Sequence, residues 1–382
     1  MALKVAVVTE SFLPQINGVT NSVLRVLETL KQHEHEAIVI APTAPTSKHL
    51  GFDVQTAASF PLLQFPIAVP GPAISRTLDE FQPDVIHVAA PFMLGAQAIS
   101  WGQRNYVPTV AVYQTDVAGY LERYNLAFAR PAMEKLLVSI HQGATLNLAP
   151  TKLAANYLRS LGLGGVRVWG RGVDLDLFNP ENATHPQSIA FRATHAPNGE
   201  LLVGFVGRLA AEKQVSRLTE LLGLPGVRFV VIGDGPERGK LEAMFEGHPV
   251  DFVGALSGLE LARAYAALDV FVHFGTEETF GQTIQEAQAS GLPVVAPNVG
   301  GPTQLIEHGV SGFLADHSRV GSYREIVQKL LDSEVLRAEI SKNAVHQVQG
   351  RSWSANNAKL VGYYEEAAQL VMGSRAEQIE LA

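Results

Sequence analysis

Short apolar runs alternate with helix-like segments along the whole chain, and this alternation constrains the fold more than any other feature. The first series of apolar runs comprises "KVAVVTE", "EAIVIAP", "DVIHVAA", "TVAVYQT" and "ATLNLAP". After residue 200 a second series follows, with "LLVGFVG", "RFVVIGDG", "VDFVGAL", "VFVHFG" and "PVVAP". Helices are predicted between the runs, for example at Val19–His33, Leu153–Leu161, Leu259–Ala267 and Tyr323–Asp332. Nearly continuous apolar strands that alternate with helices indicate parallel sheets covered by helices on both faces.

The polar segment "FNPENATHPQSIAFRATHAPNGE" separates the two series, which predicts two Rossmann-like α/β domains joined near residues 170–200. A chain of 382 residues with 47% hydrophobic content is long enough for two domains that each bury a core. In such folds, ligands bind beyond the carboxyl ends of the strands, often against helix N-termini. We therefore expect the two parallel sheets to face each other across a cleft that holds the ligand.

Composition excludes several classes of protein. The chain has no cysteine, which excludes disulfides, thiolate metal sites and cysteine nucleophiles and fits a cytoplasmic enzyme. The start "MALKVAVVTESF" has neither the pattern of a signal peptide nor the length of a membrane span, and no later apolar run reaches that length. The net charge of -8 argues against a general nucleic-acid binder.

Two glutamates surround the start of one predicted helix. The stretch "GTEETFGQTIQEAQASGLPVV" places Glu278 in a loop and Glu286 about two turns into the helix that follows. Residues eight apart lie on similar faces of a helix, so both carboxylates can face one ligand. The backbone N–H groups near Phe280 and Gly281 lack intrahelical partners and attract phosphate, so the arrangement suits a nucleotide sugar. The alternative is that both acids are ordinary solvated residues at a helix end.

Two cations follow the first strand of the second series. In "LLVGFVGRLAAEKQVSRL" the strand runs through Gly207 into Arg208 and Lys213, where a helix is expected to begin. Arg208 can make a forked contact with phosphate and Lys213 can add a mobile point charge, so the two suit a diphosphate. The alternative is a surface ion pair, for example of Lys213 with Glu212 or Glu220.

Several motifs occur together in the order and spacing of one enzyme family. They are Gly207-Arg208-Leu209 with Glu212-Lys213, "VIGDGP", "FVGAL", Glu278-Thr279-Phe280-Gly281 with Glu286, and "NVGGPTQLIEHGVSGFL". Their order resembles the retaining glycosyltransferases of family four, which have the GT-B fold, and the resemblance spans nearly the whole chain. The segments "ESFLPQINGVTNSV" and "YQTDVAGY" narrow it to two groups. These are the actinobacterial GDP-mannose-dependent mannosyltransferases of glycolipid and lipomannan assembly, and the sulfoquinovosyl diacylglycerol synthases.

The resemblance implies a role for each matching residue. Arg208 and Lys213 would hold the donor diphosphate, while Glu278 would accept from a hydroxyl of the donor sugar. Glu286 would bind the ribose hydroxyls. The other substrate-binding residues that it implies are Asn17, Gly18, Gly254, Leu256, Phe280 and Gly281. The segment from Gly254 to Leu256 would line the base pocket, but the residue that distinguishes the base is not assigned.

The resemblance also implies domain boundaries. Residues 1–170 would form the acceptor-binding domain and residues 171–356 the domain that binds the nucleotide-sugar donor. A C-terminal helix at about 357–382 would pack back on the first domain. The segment "WGRGVDLDLF" resembles the interdomain hinge, with Arg171 where many family members have Asn.

The loop after the fourth strand of the first series departs from the family pattern. Many members have a histidine there that contacts the donor sugar, whereas "AVYQTDVAGY" has Gln114, with Asp116 two residues on. Gln114 can still hydrogen-bond a hydroxyl but cannot titrate. Asp116 would meet the acceptor or the sugar. A plain polar Gln and a turn-capping Asp are the alternatives for this loop.

No metal and no other cofactor are expected. Asp174-Leu175-Asp176 looks like a metal-binding Asp-x-Asp motif but falls in the hinge. "GDGPERGKL" lacks the first glycine and the final hydroxyl residue of a phosphate loop. The resemblance implies retention by same-face attack, in which the departing phosphate oxygen takes the acceptor's proton. Arg208, Lys213 and helix N-termini would stabilise the leaving diphosphate.

The prediction is therefore an alpha-mannosyltransferase that moves mannose from GDP-mannose to a glycolipid or lipoglycan acceptor. A UDP-sugar donor carrying glucose, N-acetylglucosamine or sulfoquinovose is the alternative. A sugar-binding or a dinucleotide-binding protein is more remote, because an export signal and a clean glycine fingerprint are both missing. Peripheral association with the inner face of the cell membrane is left open. The helix "GPAISRTLDEFQP" has Ile74, Leu78 and Phe81 on one side, but Arg76 as its single cation.

Overall fold

A computed structural model describes residues 2–15, 17–62, 65–89, 91–114, 128, 130–278 and 280–380. The chain forms two units, one made of Met1–Arg171 with Trp353–Ala382 and the other of Gly172–Ser352. Each unit has its own parallel sheet and its own apolar cores. The prediction of two α/β units with parallel sheets is therefore confirmed.

The first unit is built on a large sheet. Its strands are β1 (Lys4–Thr9), β2 (Glu36–Ala41), β3 (Lys48–His49), β4 (Phe52–Thr56), β7 (Val85–Ala89), β8 (Thr109–Val112), β9 (Leu146–Ala149) and β10 (Val166–Val168). A separate antiparallel pair consists of β5 (Ser59–Leu62) and β6 (Phe65–Ala68). Within the described ranges the sheet order is β10-β9-β8-β7-β1-β2-β4-β3, and all neighbours are parallel except β3 and β4. The carboxyl ends of β1, β8 and β10 therefore lie at the same edge.

The helices of this unit include the one that was considered for membrane contact. They are α1 (Gly18–Gln32), α2 (Pro72–Phe81), α3 (Met93–Asn105), α4 (Arg130–Gln142) and α5 (Lys152–Ser160). In α2, Ile74 and Leu78 are buried in the core of the unit, and Phe81 packs against the same core. The apolar side that was considered for membrane contact therefore faces the protein core, while peripheral association itself stays an open question. An apolar stripe has the same helical period whether it faces a protein core or a lipid surface.

The second unit contains a sheet whose described strands are all parallel. They are β11 (Leu201–Val206), β12 (Val227–Ile232), β13 (Val250–Gly254), β14 (Val270–Val272), β15 (Val294–Pro297) and β16 (Phe313–Ala315), in the order β13-β12-β11-β14-β15-β16. Its helices are α6 (Pro186–His195), α7 (Arg238–Met244), α8 (Gly258–Ala266), α9 (Gln282–Ala289), α10 (Pro302–Leu305), α11 (Ser322–Leu331) and α12 (Glu334–Val348). The loops of this unit that carry predicted site residues leave from the carboxyl edge of its sheet.

A long C-terminal helix, α13 (Trp353–Glu380), belongs to the first unit. Asn357 donates from Nδ2 to the backbone oxygen of Arg25 at 3.0 Å and to Oγ1 of Thr29 at 2.9 Å, which joins α13 to α1. The hydroxyl of Tyr364 lies 2.9 Å from Nδ1 of His87 in β7. Burial lowers the pKa of His87 to about 3, so this imidazole is neutral in the core. These buried polar contacts fix the helix against the first sheet.

Candidate functional site

The loop that follows β11 is held by close backbone contacts with the loop that follows β12. Leu209 N donates to the Asp234 oxygen at 2.8 Å, and Glu237 N donates to the Leu209 oxygen at 2.9 Å. A Cβ atom on Gly233 would lie 1.9 Å from the Gly207 oxygen, so only glycine fits there. The "VIGDGP" segment, which is not a phosphate loop by pattern, thus shapes the backbone that presents Arg208.

The residues after Arg208 form short 3₁₀ turns rather than the expected α-helix. Ala211–Lys213 is one such turn, and Gln214, with φ 51°, interrupts the chain before the next one begins. The left-handed backbone of Gln214 breaks the i to i+4 hydrogen-bond ladder that an α-helix needs. The Arg208 guanidinium donates to the carboxylate of Glu212, whose side chain is buried. The sequence suggested Glu212 as an ion-pair partner of Lys213, whereas in the structure Glu212 pairs with Arg208.

The structure brings Lys213 and Glu278 together, although the sequence placed them on different parts of a ligand. Lys213 Nζ donates to Glu278 Oε2 at 2.5 Å, and the two side chains are 25% and 17% exposed. This partly buried ion pair joins the loops after β11 and β14. An anion that contacts Lys213 must therefore compete with the Glu278 carboxylate.

The loop between β14 and α9 is fixed from two sides. Gln214 donates from Nε2 to Oγ1 of Thr276 at 2.7 Å, and Gly301 N donates to the backbone oxygen of Glu278 at 2.7 Å. Gly281 caps α9 with φ 106°, a conformation that favours glycine. The Phe280 side chain is buried in the core, so it can meet a ligand only through its backbone. Thr279 lies outside the described residues.

His273 is a residue that sequence reasoning missed. It follows β14, is 1% exposed, and its Nε2 lies 3.8 Å from Oε2 of Glu278. Its ring stacks on Phe205 with centroids 6.4 Å apart. Burial lowers its pKa to about 4, against a smaller raising effect of the Glu278 carboxylate. The imidazole behind Glu278 is therefore neutral at pH 7. A polar residue within the apolar run "VFVHFG" was the signal that could have found it.

Glu286 lies in α9, where its carboxylate accepts a hydrogen bond from a buried tyrosine. The hydroxyl of Tyr265, in α8, donates to Oε2 of Glu286 at 3.1 Å. Burial and the neighbouring carboxylate raise the pKa of Tyr265 well above its ordinary value, so the hydroxyl keeps its proton. Tyr265 thus orients the carboxylate that is expected to bind ribose. No pattern in the sequence connected these two residues.

The proposed base-pocket segment follows β13. Gly254 ends that strand with φ 89°, and its oxygen accepts from Gly233 N at 2.8 Å. Leu256 is partly buried against the core of the second unit. The guanidinium of Arg238, which pairs with Asp234 at 3.2 Å, would lie 3.5 Å from a Cβ atom on Gly254. The loop after β12 therefore contacts both this segment and the Gly207–Leu209 loop, and it connects the two.

In the first unit, Asn17 and Gly18 begin α1. The Asn17 Oδ1 atom accepts from Val19 N and Thr20 N, each at 3.0 Å, and its Nδ2 donates to Ser11 Oγ at 2.7 Å. The side chain of Asn17 therefore caps the helix and fixes the preceding loop. A ligand contact that uses the same oxygen would have to compete with this cap.

Glu10 fixes the start of the same loop. Its Oε1 atom accepts from the amides of Phe92, Leu94 and Gly95 at 3.1, 2.7 and 3.2 Å, which caps α3. Burial raises the pKa of Glu10, and the three N–H groups lower it by a smaller amount. The shape of the loop thus depends on a carboxylate that sequence reasoning did not single out.

Gln114 lies just beyond β8 and contacts Arg171. Its side chain is buried, and its Oε1 atom accepts from Nη2 of Arg171 at 3.0 Å. Asp116, the other candidate in this loop, lies outside the described residues. Within the described part of the chain, no three His, Cys, Asp or Glu side chains are arranged to hold a metal. Among the same residues, no helix has the length and apolar character needed to cross a membrane.

Comparisons with known proteins match both halves of the chain. The family model described as Glycosyltransferase Family 4 matches residues 16–177, and the model described as Glycosyl transferases group 1 matches residues 187–347. The GDP-mannose-dependent alpha-mannosyltransferase of Corynebacterium glutamicum is 42% identical, over 96% of this chain and 90% of that protein. The protein of the same name from Mycobacterium tuberculosis is 41% identical, over 98% of this chain and 99% of that protein.

A solved structure agrees with the architecture. The crystal structure of Anabaena HepE in complex with UDP has a TM-score of 0.79 at 20% identity, covering 95% of this chain and 100% of that chain. This likeness shows the fold alone. The two α/β units, each with a largely parallel sheet, have the architecture of a GT-B glycosyltransferase. The chain belongs to glycosyltransferase family 4, and it is an enzyme, a hexosyltransferase. The resemblance drawn from the motifs is confirmed.

Proposed function

We propose that the protein transfers mannose from GDP-mannose to a glycolipid or lipoglycan acceptor. The observation that carries the proposal is the 42% identity, over 96% of the chain, with the Corynebacterium protein named as a GDP-mannose-dependent alpha-mannosyltransferase. The charged loops of the second unit support it, because Arg208 and Lys213 follow the same strand and can bind a diphosphate. Glu278 and Glu286 supply carboxylates for the hydroxyls of the donor sugar and the ribose.

The proposed reaction retains the anomeric configuration. The acceptor hydroxyl oxygen bonds to the anomeric carbon on the face from which GDP departs, and the bond from that carbon to the phosphate oxygen breaks. The acceptor proton passes to the departing phosphate oxygen, so atoms and charges balance. Arg208, Lys213 and the N–H groups at the start of α9 stabilise the charge that builds on the diphosphate. A metal ion has no necessary part in this scheme.

The test is transfer by the purified protein in the presence of a lipid extract. Radiolabelled GDP-mannose, UDP-glucose and UDP-N-acetylglucosamine are compared as donors, and the labelled lipid is then treated with an α-mannosidase. Transfer from GDP-mannose that the α-mannosidase reverses supports the proposal. Transfer from a UDP-sugar alone contradicts it and favours the alternative donor.

The metal-free step is tested in the same assay with EDTA. We expect the transfer rate to be unchanged, because two cations and a helix N-terminus can carry the leaving-group charge. A rate that EDTA abolishes and that magnesium or manganese restores would contradict this part of the proposal.

Peripheral association follows from a lipid-linked acceptor, and co-sedimentation of the protein with vesicles made from the same extract would measure it.

A further inference from the structure

Three segments of the first unit meet at the carboxyl edge of its sheet. They are the start of α1 after β1, the residues just after β8 and the residues just after β10, and they contain Gly18, Gln114 and Arg171 respectively. Arg171 Nη2 donates to Gln114 Oε1 at 3.0 Å. All three segments follow parallel strands, so they lie at the edge where ligands bind in sheets of this type.

The guanidinium of Arg171 lies against the backbone of Gly18. A Cβ atom on Gly18 would lie 2.6 Å from Nη1 of Arg171 and 3.3 Å from Nη2. Gly18 is the first residue of α1, so the guanidinium occupies the space that any larger residue would need. The position of Arg171 is thus set from two sides, by Gly18 and by the amide oxygen of Gln114.

This contact fixes which end of the Gln114 amide is the oxygen. A guanidinium has donors and no acceptor, so the atom of Gln114 that faces Arg171 must be Oε1. The amide nitrogen, with its two N–H groups, is then at the other end of a side chain that is 5% exposed. At its nitrogen end, Gln114 can therefore contact a substrate only by donating a hydrogen bond to a substrate oxygen.

We propose that Arg171 is a positioning residue, which holds the Gln114 amide so that its nitrogen donates to a substrate oxygen. The oxygen is that of a sugar hydroxyl or of a phosphate. This inference rests on the proposed glycosyl transfer, and it adds the direction of the Gln114 hydrogen bond and the residue that determines it. The structural alternative is that the contact only stabilises the packing of the residues after β8 against the residues after β10.

Gln114→Glu separates the two explanations. Glutamate keeps the length of the side chain and its contact with Arg171, which becomes an ion pair, but it removes both N–H donors. We expect kcat to fall by about 10- to 100-fold while the thermal unfolding midpoint is maintained or raised. A purely structural contact would be preserved by this variant, and kcat would then stay near that of the wild type.

Arg171→Met tests the positioning step, because it removes the donor that fixes the amide. We expect kcat to fall by about 5- to 30-fold, with a KM for the donor nucleotide that changes less than kcat. Arg171→Lys should restore most of the rate, since an ammonium group also donates to Oε1 without accepting. The matched control is Arg159→Met in α5, whose guanidinium binds Asn156 and the Val166 oxygen, and we expect its kcat to be unchanged.

The outcomes distinguish this inference from the proposed function. A Gln114→Glu variant with kcat within about twofold of the wild type overturns the donor direction, even where the wild type transfers mannose. An Arg171→Lys variant that is as slow as Arg171→Met overturns the positioning role. A wild type that uses a UDP-sugar rather than GDP-mannose contradicts the proposed donor alone, and the same variants are then compared with that sugar nucleotide.

Discussion

Replacing Glu278 by glutamine should have opposite effects on nucleotide binding and on transfer. In the structure the Glu278 carboxylate holds Lys213 Nζ at 2.5 Å, so a diphosphate must compete with it for the same cation. Glutamine keeps the shape and one acceptor but removes the charge that competes. We therefore predict that Glu278→Gln binds GDP more tightly than the wild type and transfers the sugar more slowly.

The size of both effects follows from the burial of the pair. With side chains 25% and 17% exposed, the interaction lies between an exposed pair, worth about 0.2–1 kcal/mol, and a buried pair, whose disruption costs about 3–5 kcal/mol. An intermediate value of about 1–2 kcal/mol corresponds to a Kd for GDP about 5- to 30-fold lower. Loss of a hydrogen bond from a sugar hydroxyl to a charged group costs roughly 1.5–3 kcal/mol, so kcat should fall by about 10- to 150-fold.

Isothermal titration with GDP measures the first effect, and steady-state transfer from GDP-mannose measures the second. The matched control is Glu277→Gln, which makes the same change of charge one residue earlier and should alter both quantities less. A Glu278→Gln variant that binds GDP more weakly than the wild type would refute the competition between carboxylate and diphosphate. It would also place Glu278 on the nucleotide rather than on the sugar.

Three further predictions concern the second unit. Arg208→Ala and Lys213→Ala should each raise the activation free energy of transfer by about 2.7–4 kcal/mol and so lower kcat. Near-normal kcat in both variants would contradict the diphosphate assignment. Glu286→Gln should weaken GDP and GDP-mannose by similar factors, and Tyr265→Phe should do the same to a smaller extent, because Tyr265 orients the Glu286 carboxylate; calorimetry that shows a loss for GDP-mannose alone would exclude the ribose contact. The pKa of His273 is lowered from 6.5 to about 4, so stability is lost as the pH falls from 6.5 towards 4 and the unfolded chain takes up the proton first, by roughly 2–3 kcal/mol at pH 4.5. Thermal unfolding of His273→Asn should therefore lose less stability between pH 7 and pH 4.5 than that of the wild type, and equal losses would count against a neutral buried imidazole.

The strands and the sheet type were predictable from the sequence because both depend on local patterns. Nearly continuous apolar runs such as "LLVGFVG" are buried on both faces of a sheet, and the structure has β11 there. The turn at Ala211–Lys213 was not predictable in the same way, since it ends at the left-handed backbone of Gln214, whose side chain contacts Thr276, 62 residues away in sequence. The face of α2 was ambiguous because periodicity does not report what covers a helix.

The sequence placed the candidate residues on the loops that follow the strands, but it did not predict how their side chains pair. Lys213 and Glu278 are 65 residues apart in sequence, and Tyr265 and Glu286 are 21 apart. Such contacts depend on how loops leave neighbouring strands, which no spacing rule records. The contact of Arg171 with Gln114 is of the same kind, with 57 residues between the partners. Buried His273 was missed because an imidazole within an apolar run resembles an ordinary core residue.

The pairings in the second unit also bear on how the cations could accelerate transfer. Arg208 with Glu212 and Lys213 with Glu278 form two ion pairs, so these four side chains carry no net charge. In the proposed reaction the diphosphate competes with the Glu212 and Glu278 carboxylates for these cations, which limits how strongly they hold the bound donor. In that proposed step, charge builds on the departing phosphate oxygen as the bond to the sugar breaks, and the phosphate is then expected to compete better than a carboxylate does. A contact that strengthens in this way stabilises the transition state more than the bound substrate, which is the condition for it to raise kcat rather than merely to lower KM.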